Sequence, residues 1–110
     1  GIQTNATELS RWLVALTGGR LLAPAEVDRM WVPEKTRDGA DGDWGAGWPV
    51  LQATAPRQVA GIGGARAAFF VYPDERLAVV VLTNLAGANP QRFIGPIADF
   101  YRTPADPATR

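Results

Sequence analysis

Two apolar runs separated by four residues limit what this chain can become. Ala67-Ala68-Phe69-Phe70-Val71-Tyr72 and Leu77-Ala78-Val79-Val80-Val81-Leu82 flank Pro73-Asp74-Glu75-Arg76. Aromatic and β-branched residues favour strands, and the short turn between them predicts an antiparallel hairpin spanning 66–72 and 77–82. Neither run alternates apolar with polar side chains, so each strand needs cover on both faces. At 110 residues, one domain with one core must supply it.

Helices are the available cover. Over 5–17, Asn5 is placed to cap and Glu8 stands three residues on, the spacing of a capping box. Leu9, Trp12, Leu13 and Leu16 then follow at i, i+3, i+4 and i+7, an apolar stripe of helical period. Gly18-Gly19 ends it. A second, shorter helix is predicted from Pro24, burying Val27, Met30 and Trp31 and stopping before Pro33. Asn89-Pro90 opens a last helical segment carrying Phe93, Ile94, Ile97, Phe100 and Tyr101, with Gly95-Pro96 expected to kink or restart it.

Between these lies a polar stretch, 34–43, read as a surface loop. Trp44-Gly45-Ala46-Gly47-Trp48 alternates large and minimal side chains and predicts a third strand with both indoles on one face. The expected fold class is therefore α+β: an antiparallel sheet of about three strands with the N- and C-terminal helices packed on it. On this reading the terminal helices cover one face, and nothing in the chain is seen to cover the other. The domain runs over 1–102, and the proline-spaced tail 103–110 is expected to fray.

Composition removes several functions. Eleven basic and eleven acidic side chains cancel, so nothing favours electrostatic capture of nucleic acid. No apolar run reaches the ~20 residues of a membrane span. Without cysteine or histidine there is no thiolate or imidazole for metal or base chemistry, and no cofactor is expected. Ser10 is the single serine and Lys35 the single lysine. The arginine-rich, lysine-poor composition points to a bacterial source. Asp41-Gly42-Asp43 lacks the distal ligands of a calcium loop. Gly61-Ile62-Gly63-Gly64 precedes a strand and not a helix, so it lacks the helix N-terminus of a dinucleotide site. Asn5-Ala6-Thr7 is a formal glycosylation acceptor that a helix cap explains, and the four tryptophans are spaced as core residues. Arg66, between a glycine-rich turn and an apolar strand, is either a solvent-facing strand end or a cation facing a cleft and meeting a carboxylate.

The hairpin, written Pro73-x-x-x-Leu77-x-Val79-Val80-x-Leu82-x-Asn84, resembles the C-terminal hairpin of the serine β-lactamase and penicillin-binding-protein-like superfamily, nearest the class C β-lactamases with their related esterases and D-alanyl-D-alanine peptidases. In order along the chain, residues 1–16 resemble that family's Ser-Thr-acidic-Leu-Ala-Arg-Trp helix and 44–48 its aromatic-Gly-x-Gly-Trp strand. The resemblance spans residues 1 to about 102. It implies a hydrolase in which Ser-x-x-Lys supplies a nucleophilic serine against a β-lactam, peptide or ester carbonyl, with Tyr-x-Asn nearby.

Neither motif stands in this sequence: Leu13, not lysine, lies three residues after Ser10. The resemblance thus implies the C-terminal portion of a longer hydrolase, not catalytic alone, whose partner is the N-terminal part of the same protein. It also implies a periplasmic or extracellular setting. The family's Lys/His-Thr/Ser-Gly triplet falls at Gly61-Ile62-Gly63 when the glycine pair is aligned, or at Gln58-Val59-Ala60 when counted back from Pro73 without a gap. Both lack the cation and hydroxyl, a departure that leans toward an esterase-like or inactive relative. Gly61, Ile62, Gly63, Gly64 and Arg66 are the candidate substrate-binding residues, with Gly64 N–H as an oxyanion donor on the strand after the triplet. A non-catalytic protein-interaction domain built on the same sheet is the alternative, and self-association through an uncovered sheet face is expected.

Overall fold

The computed structural model describes residues 2–102; the predicted frayed tail lies outside them. Helix α1 (Ala6–Thr17) and helix α2 (Pro24–Met30) precede four strands, β1 (Val50–Gln52), β2 (Gln58–Gly63), β3 (Ala67–Tyr72) and β4 (Leu77–Leu82), and α3 (Gln91–Asp99) follows. The strands form one antiparallel sheet in sequence order. The fold is α+β as expected, with four strands in place of three.

Local chemistry accounts for the element ends. The Asn5 side chain accepts from Glu8 N–H at 2.8 Å, capping α1, and Gly18 N–H closes its last turn on Val14 O. The β3–β4 hairpin turns through a 3₁₀ turn at Pro73–Glu75, after which Arg76 adopts a left-handed conformation at φ 53°. Helix α3 continues past Gly95-Pro96 rather than restarting there. The proline ring sits on the exposed side of the helix, where the interrupted hydrogen bond reaches water.

The strand predicted over 44–48 does not form. Those residues make a compact loop in which Gly45 N–H donates to Trp48 O and Ala46 N–H to Met30 O. A Cβ on Gly45 would lie 2.1 Å from the Met30 carbonyl oxygen, so glycine is required where this loop crosses the end of α2. The indoles diverge as a result: Trp48 is 7% exposed and Trp44 57%. The strand pairing instead begins at Val50, and β2, which no periodicity announces, fills the place between β1 and the hairpin.

The terminal helices do not share a face. Alternation along the strands separates two cores. Val59, Phe69, Val71 and Val80 pack with Leu13, Leu16, Val27, Trp31 and Trp48 under α1 and α2. Ala60, Ala68, Phe70, Tyr72, Val79 and Val81 pack with Ile94 and Ala98 of α3. The expectation of one bare sheet face is thereby corrected: the doubly apolar hairpin is clad on both sides by helices from opposite ends of the sequence. Among the apolar side chains that remain outside, Phe93 lies on the outer side of α3 and Phe100 in the turn after it, while Val14, Val32 and Leu85 lie elsewhere on the surface.

Arg57 ties the loop before β2 to the hairpin turn. Its Nε and Nη2 donate to Asp74, at 3.2 and 2.9 Å, its own backbone N–H donates to the same carboxylate at 2.7 Å, and Nη1 reaches Asp28 of α2 at 3.0 Å. These donors hold the Asp74 carboxyl below the usual carboxylate range. A depressed carboxylate pKa contributes stability above the unfolded value, near 3.9, that is lost as pH falls through the lower folded value. Asp74→Asn is therefore expected to lower the melting temperature at neutral pH and to flatten its decline below about pH 4. Parallel melting curves for both proteins across that range would contradict the assignment.

Candidate functional site

The glycine-rich stretch lies on β2 and in the turn that leaves it. Gly61 pairs with Phe69, Ile62 with Ala68 and Gly63 with Ala67. Gly64 and Ala65 are both left-handed, φ 61° and 57°, and Arg66 N–H closes the turn on Gly63 O at 3.2 Å. Positive φ at two central residues matches the right-handed twist of a hairpin, which is why glycine is favoured there. The structure thus moves Gly64 off the strand and into the turn.

The edge of β2 is the feature with chemical capacity. Ala60 N–H donates to Pro49 O at 3.0 Å, on the β1 side. Backbone groups alternate in direction along a strand, so Ile62 N–H and C=O also face away from β3. The short β1 pairs only with Gln58 and Val59, leaving Ile62 beyond its end. A donor and an acceptor on one residue at an open strand edge can hold an extended carbonyl compound by strand-like hydrogen bonds. The Ile62 side chain is 46% exposed, and a Cβ at Gly63 or Gly64 would meet no atom within 4 Å, so the approach is open.

Gly61 has a different task. A Cβ there would lie 2.2 Å from the Phe69 ring, which folds across β2 in the gap that glycine leaves. Trp48 meets Phe69 edge-on at 5.6 Å and Trp12 stacks on Trp48 at 6.0 Å. Trp12, 42% exposed, therefore owes its burial to this aromatic layer and not to the strand faces alone. The sequence shows the glycine but not the ring that requires it, because Phe69 and Gly61 are brought together only by the β2–β3 register.

Arg66 is anchored through its backbone. Its carbonyl accepts from both Thr83 N–H and Thr83 Oγ1 at 2.9 Å, and Asn89 N–H similarly holds Ala65 O. The Arg66 side chain is exposed and has no ion-pair partner among the described residues. It stands at the same end of the sheet as the open Ile62 edge. The polar residues of hydrolytic chemistry are not assembled beside it: Ser10 lies on α1, Lys35 pairs with Asp41 in the 34–43 loop, and Tyr72 is buried on the α3 side, where burial pushes its phenol pKa up. Among the described residues no group of three or more acidic side chains forms a metal site, and no helix is long and apolar enough to cross a membrane.

The two neighbouring glycines are separable by mutation. Gly61→Ala forces the Phe69 ring out of the aromatic layer and is expected to cost ~1–3 kcal/mol, the range for overpacked cores. Gly63→Ala meets nothing and is expected to stay within about 1 kcal/mol of the parent protein. Equal losses in denaturant unfolding of the two variants would refute the stated role of Gly61.

Comparison with known proteins agrees with the resemblance carried by the hairpin's sequence. No curated protein and no solved structure matches the chain. The family model described as Beta-lactamase matches residues 1–101, which takes in both helical covers, all four strands and the open β2 edge. By that match over nearly its whole length, the chain belongs to the Beta-lactamase family.

Proposed function

We propose that this chain is the C-terminal portion of a serine hydrolase of the β-lactamase type, closest to the class C, esterase and D-alanyl-D-alanine peptidase branch. In this reading it builds one wall of the active-site cleft and does no chemistry alone. The observation that carries the proposal is the open edge at Ile62 in a chain of this family. Ile62 N–H is the donor for a carbonyl oxygen on the strand, and Gly63 and Gly64 keep the approach clear. Arg66 offers a cation to a substrate carboxylate at the same end. The nucleophilic serine, its lysine and the tyrosine come from a preceding segment of the same polypeptide.

The chemistry follows from that division. Attack of a serine hydroxyl on a β-lactam, peptide or ester carbonyl places negative charge on the carbonyl oxygen. A fixed N–H pointing at that oxygen stabilises the charge as it develops, without needing to reorient. Gly-Ile-Gly in place of a triplet with cationic and hydroxyl side chains leaves this backbone function and removes any proton donor. That favours esters, whose alkoxide leaving group demands less protonation than an amine.

Two expected outcomes test the reading. The 110-residue chain should not turn over a chromogenic cephalosporin or 4-nitrophenyl butyrate; turnover that Ser10→Ala abolishes would overturn it. In a polypeptide that joins this chain to a preceding Ser-x-x-Lys segment, Ile62→Pro should lower turnover by roughly 100- to 1,000-fold, the usual cost of one lost oxyanion donor. Proline at this edge removes no bond to β3, so the fold should persist, and Ile62→Val, which keeps the N–H, should keep most activity. A folded Ile62→Pro variant with full activity would refute the role given to this edge.

A further inference from the structure

Strand β4 ends the sheet on the side away from β1, and among the described residues no strand lies along its outer edge. Thr83 N–H donates to Arg66 O at 2.9 Å, on the β3 side. Backbone groups alternate in direction along a strand, so the N–H and C=O of Ala78, Val80 and Leu82 face outward. Among the described residues these groups have no hydrogen-bond partner. The helices over both faces leave this edge uncovered: none of the six residues of β4 is buried, against four of six in β3.

Edge strands that stay single ordinarily carry a charge, a proline or a bulge that discourages pairing. Leu77-Ala78-Val79-Val80-Val81-Leu82 has neither charge nor proline, and its register with β3 is unbroken. The open stretch at Ile62 on β2 is shorter, because β1 takes up the residues before it. The outer edge of β4 is therefore the longest run of free strand backbone among the described residues, and nothing in it opposes a further strand.

We infer that β4 pairs antiparallel with β4 of a second copy of this chain, about a two-fold axis at Val80. That axis sets Val80 opposite Val80, Ala78 opposite Leu82 and Val79 opposite Val81. Every outward group then has a partner, each opposed pair among Ala78, Val80 and Leu82 exchanging both N–H···O bonds. An axis at Val79 would instead set Leu82 against Arg76, whose N–H is already bound to Pro73 O at 3.3 Å. The side chains also fit, since the small Ala78 faces the large Leu82 and no like charges are opposed: Arg76 meets Asn84. The edge thus complements itself, and the pairing closes, leaving only the three-residue β1 at each outer end.

Sedimentation of the 110-residue chain should show a dimer of twice 11.8 kDa, with a Kd of about 100 µM or tighter. Ala78→Pro removes an outward N–H and no bond to β3, so it should weaken the dimer at least ~tenfold in a folded protein, its fold checked by near-ultraviolet circular dichroism of the tryptophan layer. Ala78→Val keeps the N–H and should keep the dimer. On the parent chain, hydrogen exchange at Val80 N–H should slow as concentration rises, while exchange at Ile62 N–H should not change. A monomer at millimolar concentration would overturn the proposal, as would a dimer undiminished in a folded Ala78→Pro variant or a Val80 exchange rate independent of concentration. A polypeptide joined to the preceding segment that is monomeric yet protects Val80 N–H would give the edge to that segment and overturn the second copy as its occupant there.

Discussion

The fold depends on one missing side chain. Gly61 leaves a gap on β2 into which the Phe69 ring folds from β3. Trp48 stands edge-on to that ring, Trp12 stacks on Trp48, and Trp31 meets Trp48 edge-on at 5.7 Å. Helices α1 and α2 thus rest on the sheet through an aromatic layer rather than through aliphatic contacts alone. Large rings carry much burial per residue, and their edge-to-face contacts add roughly 0.5–1.5 kcal/mol each. In a domain of this size, with no disulfide to assist it, that layer is a large share of what holds the helices down.

The same stretch of β2 serves two masters. Gly61 faces the Phe69 ring of the aromatic layer, while the backbone of Ile62 beside it turns to the open edge. A bulkier residue at 61 would displace Phe69, and a longer β1 would cover Ile62. The Gly-Ile-Gly sequence is thus compatible with both a structural demand on one face and an accessible edge in the plane of the sheet. The Thr83 and Asn89 bonds to the carbonyls of Arg66 and Ala65 fix the following turn to the segment before α3, which keeps that end of the sheet rigid.

Much of the architecture was legible in local patterns. The Asn5 cap, the α1 stripe, the Pro24 helix start and the Pro73-Asp74-Glu75-Arg76 turn all act within a few residues, and the structure keeps each of them. The failures were non-local. Trp44-Gly45-Ala46-Gly47-Trp48 has the period of a strand, but Gly45 is needed where the loop crosses the Met30 carbonyl, a contact between segments fifteen residues apart in the sequence. β2 was hidden because three of its six residues are glycine or alanine with no alternation to read. The placement of α1 and α3 on opposite faces depends on which strand residues face which way, and a doubly apolar strand carries no such mark. At the candidate site, Gly61, Ile62 and Gly63 were identifiable by resemblance, whereas the turn geometry of Gly64 and the direction of the Ile62 amide required the register.

Any function of this strand edge turns on the direction of that amide. Hydrogen exchange of the backbone N–H groups along β2 reads it residue by residue, because a ladder-bonded amide exchanges far more slowly than one facing solvent at an edge. The N–H groups of Gly61, paired with Phe69, and of Ala60, donating to Pro49, should be protected, while that of Ile62 between Gly61 and Gly63 should exchange freely. Protection of Ile62 equal to that of Gly61 would show its N–H to be already taken and would contradict an open edge on this strand.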